Sequence, residues 1–427
     1  MKVYEKVYDY YLNQMKTGNL KAGAKMPSLR ECEKTLAVSR TSVETAYQQL
    51  AADGYIYSVE KVGYYVSKMA VREEREAGEI KGKALKARRI KYDFATIGED
   101  KQVSCLDLWR RYMKSALRQE DRLLSYADNQ GEEDLREEIA KYVRKTRNII
   151  CTPDEVVVGA GFQNLLQILI ALVPGERTIS FPTKDFVDGA TTFKNAGFTV
   201  SYRNKESHVI YVVPAYMTKW GEIMTMKRRR ELVEHAISNN HLIIEDDYQN
   251  DFVFSSKPTP SLYALTGGEN TAFLGSFSRV LLPSVRISYL ILPKGIKEKY
   301  LEIKDCYNQT ASKAEQIALT QFLRDGHLNR HVKKMKKLYG EKRVLLKGEI
   351  RKKFGNEVEV LLGDSGMEIG LRVSGQGIRR SLEESPIKVG ILEEEKDGLI
   401  MLLSCSRMSE EEIREGLLEL RERTKNV

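Results

Sequence analysis

Arg40, Thr41, Ser42 and Thr45 place a cation and three hydroxyls directly after Ser39. At the start of a helix, groups of this kind hold phosphate oxygens and meet base edges in a DNA major groove. Arg40 suits guanine or phosphate, and the hydroxyls suit the backbone. The neighbouring residues predict the helix itself. Val43, Ala46, Tyr47 and Leu50 recur at i, i+3, i+4 and i+7, one apolar stripe. Arg40, Thr41, Ser42, Glu44, Thr45 and Gln48 fall on the opposite face, and Gly54 closes the run. An ordinary polar face on a small structural domain is the competing reading.

Two further helices are predicted upstream. Tyr4, Val7, Tyr8, Tyr11 and Met15 have helical spacing, ended by Gly18. Ser28 and Glu31 make a capping-box pair ahead of Leu29, Cys32 and Leu36. Downstream, YIYSVE and YYVSK flank Lys61-Val62-Gly63 as a hairpin. Together these elements predict a winged helix-turn-helix. The charge agrees with a polyanion partner. Residues 1–68 carry ten Lys/Arg against seven Asp/Glu, and residues 69–91 carry eight against four. Thus +7 of the net +9 lies in the first 91 residues. A solvated, charged terminus would show the same excess.

The run PSLRECEKTLAVSRTSVETAYQQLAADGYI, followed by VGYYV, resembles the winged helix of GntR-type bacterial transcription regulators. The resemblance covers residues 1–68. It implies that Arg30, Ser39, Arg40, Thr41, Ser42 and Thr45 lie near double-stranded DNA, with Gly63 and Tyr64 at the wing tip. Residues 69–91 are charged and poor in large apolar side chains, which predicts a tether. Its basic half (Lys81, Lys83, Lys86, Arg88, Arg89, Lys91) faces DNA phosphate, an acidic face of the body, or only solvent.

From residue 92 apolar runs of strand length alternate with helical patterns: TISFP, HVIYVVPA, HLIIEDDY, TAFLGSF and RISYLILP. That alternation predicts an α/β domain with a mostly parallel sheet over 92–427. From about residue 340 the rhythm shifts to a smaller α+β part, closed by SEEEIREGLLELRER. The five cysteines form no CxxC pair, and the five histidines show no ligand spacing, so no metal site is expected. No apolar run reaches the ~18–20 residues of a membrane span, and the N-terminus lacks a signal-peptide core. A reducing cytoplasm is the expected setting.

The body resembles fold-type I aminotransferases, which carry pyridoxal phosphate (PLP). YADNQGEEDLREEIAKYV at 126–143, VVGAGFQNLLQIL at 157–169, IIEDDYQNDF at 243–252 and SFSRVLLPSVRISYLILP at 276–293 carry the likeness. A GntR winged helix followed by such a body is the layout of the MocR/GabR-type regulators. Members are described as homodimers that use the body as an effector sensor. The resemblance implies Asp246 for the pyridine nitrogen, Tyr248 for the ring oxygen, and Ser276, Ser278, Arg286 and Gly161 for the phosphate. Phe186 is the implied ring stacker, and Phe162 stands where a small hydroxyl residue is common.

The position of the Schiff-base lysine is Arg279. A guanidinium stays protonated and is a poor nucleophile, so it forms no covalent link to an aldehyde. Two further departures agree. VPAYMTKWG at 213–221 replaces the family's "TPSHQxPTG", and Leu402 stands where a substrate-binding arginine belongs, with Arg407 close by. The expectation is a DNA-binding regulator with no catalytic residues and no covalent PLP. A non-covalent PLP or another anion stays compatible with the residues kept. Two readings of Arg279 stand: it grips an anion, or it pairs with Asp246 or Asp247 and seals an empty cleft. The rival functions are a PLP-dependent aminotransferase-type enzyme, and a body that captures PLP or a phosphorylated metabolite without DNA work.

Overall fold

Ser28 and Ser39 each start a helix by accepting a backbone N–H, from Glu31 at 3.2 Å and from Ser42 at 3.3 Å. Such caps contribute about 1 kcal/mol each. They open α2 (Leu29–Leu36) and α3 (Arg40–Ala52), which follow α1 (Val3–Lys16). Ala37 takes left-handed backbone, φ 51°, and ends α2. Val7, Tyr11 and Met15 of α1 pack with Cys32 against the stripe Val43, Ala46, Tyr47 and Leu50. Tyr47 is fully buried, and its hydroxyl donates to the Pro27 carbonyl at 3.0 Å. Two strands, β1 (Ile56–Val59) and β2 (Gly63–Val66), form an antiparallel hairpin with Ile56 opposite Val66.

This computed structural model describes residues 2–68, 90–184, 186–254 and 259–425. The chain divides into two compact units, Met1–Arg88 and Arg89–Val427. The tether at 69–91 lies outside the described residues, apart from Ile90 and Lys91. Lys91 pairs with Glu415 at 3.3 Å and sits over the Tyr92 ring.

The second unit is built on a seven-stranded sheet. In chain order its strands are β3 (Val156–Ala160), β4 (Thr178–Phe181), β5 (Thr199–Tyr202), β6 (Val209–Val212), β7 (Leu242–Asp246), β8 (Thr271–Ser276) and β9 (Ile287–Ile291). The spatial order is β3-β9-β8-β7-β6-β4-β5. Only β9 runs against its neighbours; the other pairings are parallel. Val209–Val212 and Ile287–Ile291 are buried at every position, as strands covered on both faces must be. In parallel sheets ligands gather at the carboxyl ends of the strands. Asp246 ends β7 and Ser276 ends β8.

Four helices bear on the rest of the argument: α4 (Leu106–Ala116), α5 (Glu133–Arg147), α6 (Phe162–Leu172) and α7 (Lys313–Arg324). Then comes α8 (His327–Phe354), 28 residues without a break. α8 runs through residue 340, with Tyr339 buried in the core around the large sheet and Leu346 in the core of the α+β part. Its sheet starts after Phe354, with β10 (Val358–Leu361), β11 (Glu368–Ser374), β12 (Gly390–Glu395) and β13 (Gly398–Ser404), all antiparallel. Tyr92 and Phe94, at the start of the body, are buried in this small part's core.

Candidate functional site

On the first unit, Thr41 and Gln48 are exposed, and Ser42 and Thr45 are half-buried. Arg40 Nε donates to Glu44 Oε1 at 3.0 Å, an exposed pair one helical turn apart. Thr45 Oγ1 donates to the Thr41 carbonyl at 2.8 Å, and the Ser39 and Ser42 hydroxyls meet at 2.9 Å. Arg30 is exposed on α2. The wing differs from expectation. Glu60, Lys61 and Val62 make the turn, whereas Gly63 and Tyr64 begin β2. Alternation puts Tyr64 on the same face as buried Val66. Its ring packs edge-on against Tyr47 at 5.3 Å. Tyr57 and Tyr65 stack on the outer face, centroids 5.9 Å apart.

On the second unit a cavity of about 740 Å³ opens beside Asp246 and Ser276. All nine pocket residues anticipated from sequence line it: Gly161, Phe162, Phe186, Asp246, Tyr248, Ser276, Ser278, Arg279 and Arg286. Ser288, Tyr216, Lys219, Glu368 and Leu402 line it too. Arg407 does not; its side chain lies against Gly98.

Asp246 is held from two sides. Tyr211, itself fully buried, donates its hydroxyl to Oδ2, and the Tyr248 N–H reaches Oδ1 at 3.0 Å. Phe186 stacks on Tyr211 with ring centroids 4.7 Å apart. It thus braces the phenol that braces the carboxylate. Burial pushes the Asp246 carboxyl up to about 6, against the opposing hydrogen bonds from Tyr211 and Tyr248. Ionised above that pH, the group opposes folding, because the folded state holds the proton more tightly than the unfolded chain does near 3.8. Partial exposure to the cavity tempers the penalty. We expect Asp246→Asn to raise the body's stability near neutral pH by about 1–3 kcal/mol. The gain should fade as pH falls through about 6 toward 3.8, read by chemical denaturation across that range.

The turn after β8 is closed by its own hydroxyls. Ser278 Oγ donates to the Val285 carbonyl at 2.9 Å. Ser276 Oγ accepts from Ser288 Oγ at 3.0 Å and from the Ser278 N–H at 3.3 Å. The Ser278 proton is therefore committed, while the Ser276 proton stays available to an anion. Gly161 caps α6 at φ 91°, and a Cβ there would stand 3.0 Å from Arg286 Nη2. Glycine thus leaves the guanidinium room beside a helix N-terminus. Among the described residues Arg286 has no ion pair.

Arg279 does not seal the cleft. Asp247 is taken by Arg147, whose Nη2 lies 2.7 Å away, and Asp246 is engaged by Tyr211 and Tyr248. The Arg279 guanidinium carbon lies 5.5 Å from the Tyr248 ring centre. Its Nε and Nη2 are buried without a hydrogen-bond partner. Buried guanidinium N–H groups without an acceptor are uncommon and call for one. Glu368, buried and pushed upward in pKa by that burial, feels the Arg279 charge as an opposing influence. It forms no ion pair with Arg279 among the described residues.

The donor set fits PLP in part. Arg286, Gly161 and Ser276 suit its phosphate, and Asp246 suits its ring nitrogen. Arg279, on the turn that follows β8, offers a guanidinium rather than an amine to such a ligand.

Residues 3–66 match the family described as bacterial regulatory proteins, gntR family. Residues 98–211 and 219–395 match aminotransferase class I and II. The break between those two stretches falls in the VPAYMTKWG segment. The chain is 31% identical to the HTH-type transcriptional regulator YdeL of Bacillus subtilis (strain 168), over 98% of this chain and 96% of that one. It is 24% identical to the probable rhizopine catabolism regulatory protein MocR of Rhizobium meliloti, over 90% and 83%. Among solved structures, an archaeal alanine:glyoxylate aminotransferase superposes with a TM-score of 0.69 at 21% identity, covering 83% of this chain and 94% of that one. No helix among the described residues is long and apolar enough to cross a membrane. With both halves matched in this order, the chain belongs to the GntR transcription regulators that carry an aminotransferase-like domain, the MocR/GabR-type group.

Proposed function

We propose that this regulator binds a double-stranded DNA operator as a homodimer and senses a small anionic ligand in the body, without covalent PLP and without transamination. The observation that carries the sensing half is Arg279, a cation with unpartnered N–H groups on the cavity wall. PLP supplies an aldehyde and an electron-withdrawing ring when bound, and only an amine opens that chemistry. Arg279 offers charge and directed hydrogen bonds instead. Arg286 and Ser276 would hold a phosphate or carboxylate, and Asp246 would hold a protonated ring nitrogen. The same residues accommodate PLP or another anion.

The DNA half rests on the polar face of α3. A gel-shift titration with the chain's own upstream DNA should show binding that weakens steeply with salt. Two heads on one duplex should favour paired half-sites about one helical turn, or a multiple, apart. Arg40→Ala should lower affinity about tenfold or more, as loss of a base or phosphate contact worth about 1–3 kcal/mol does. Absence of any salt-sensitive shift would leave a ligand-binding protein with no DNA role. Amino-acid and keto-acid turnover by the purified chain would restore the enzyme reading.

A further inference from the structure

Glu99, Cys105 and His331 are far apart in sequence, and no local spacing marks them as ligands. The fold brings one ligand atom from each within 4.8 Å of the others. Glu99 Oε1 and His331 Nε2 lie 3.4 Å apart. Their side chains are 10% and 6% exposed, and Cys105 is 8% exposed. Neither Glu99 Oε1 nor His331 Nε2 has a hydrogen-bond partner. Two buried polar atoms thus face one another at 3.4 Å without a hydrogen bond between them.

Each ligand comes from a different stretch of the chain: Glu99 from a loop, Cys105 from the start of α4 and His331 from α8. His331, Met335, Tyr339 and Lys342 share the buried face of α8. The Tyr339 hydroxyl oxygen accepts from the Asp100 N–H at 3.1 Å, and Lys342 binds the Asp100 carboxylate and the Met408 carbonyl. Those contacts pin Glu99 against His331. Cys105 caps the start of α4, with Sγ 3.9 Å from the Leu281 carbonyl.

We infer that Glu99, Cys105 and His331 bind a borderline divalent cation of the zinc type. Ligand atoms around tetrahedral zinc stand about 3.3–3.8 Å apart, which the carboxylate–imidazole spacing already meets. A carboxylate and a thiolate balance the charge of the cation, and imidazole with thiolate selects zinc over magnesium or calcium. The fourth position falls to water. The cation would tie the lead-in at Glu99, the start of α4 and the long helix α8 together. The Cys105 proton leaves to solvent as the metal–sulfur bond forms.

The test uses the untagged full chain, stripped with chelator and titrated with cobalt(II). One equivalent should bind and raise an intense near-ultraviolet thiolate-to-cobalt band. Zinc should abolish that band at one equivalent and raise the melting temperature. Cys105→Ser should lose the band, while Cys306→Ser, at an exposed thiol, keeps it. Glu99→Gln, a second variant of nearly unchanged shape, should weaken cobalt binding by at least about 10- to 100-fold. The inference falls if wild type binds no stoichiometric cobalt, as a bare imidazolium–carboxylate pair would not. It also falls if the band survives Cys105→Ser or disappears in Cys306→Ser.

Discussion

Arg279→Lys should turn a chain that releases all its PLP on dialysis into one that keeps it through a covalent bond. The variant should gain a visible absorption band that borohydride removes, leaving the coenzyme's mass on the chain. Wild type should show neither, an all-or-none contrast. The argument is chemical. Arg279 sits in the turn between β8 and β9, on the wall shared by Asp246, Tyr248 and Ser276. Lysine there presents an amine, and desolvation lowers its pKa toward the nucleophilic form. Lys219 also lines the cavity, so peptide mapping of the reduced adduct must place it on residue 279. An adduct on wild-type Lys219 would overturn the reading. A variant that stays colourless although it binds PLP would show that the remaining pocket no longer positions the ring.

The second large effect concerns stability. Arg147 closes α5 and is 8% exposed. Its Nη2 lies 2.7 Å from Asp247 Oδ2 and 2.8 Å from Asp251 Oδ1. Its Nε donates to Asp247 as well. Arg147→Ala leaves two largely enclosed carboxylates, 10% and 16% exposed, with no cation between them, so the body should lose about 3–5 kcal/mol. The deficit should narrow in acid, as the Asp247 carboxyl, pushed upward by burial, takes up a proton. Adding Asp247→Asn and Asp251→Asn should recover part of it. Denaturant titration of the full chain, following the body's transition, reads these differences. A loss below about 1 kcal/mol would mean that the clamp holds no more than a surface pair does. Asp247 adjoins Asp246, so the clamp also fixes the strand end that forms the cavity wall.

What the sequence made readable follows from range. Caps and apolar stripes act within a few residues, and α1, α2 and α3 form where those signals stand. The apolar runs of the body became strands because burial on both faces demands continuous apolar residues. Asp246, Tyr248, Ser276 and Arg286 belong to motifs close to strand ends, and all four line the cavity. The misses have longer-range causes. Tyr211 braces Asp246 from a neighbouring strand, and Glu368 reaches the cavity from the small part's sheet. Tyr64 was misplaced because its ring belongs to the face that covers Tyr47. The change of rhythm near 340 falls inside α8, which continues from one core into the other without a break that sequence could mark.

That unbroken helix spans about 42 Å and is shared property. Leu328, Met335 and Tyr339 are buried in the core around the large sheet. Leu346, Ile350 and Phe354, further along the same rod, are buried in the core of the small part. Melting either core strips one wall from the other, so the two lobes stand or fall as a single cooperative unit. Movement between them must be absorbed by the connections outside the rod.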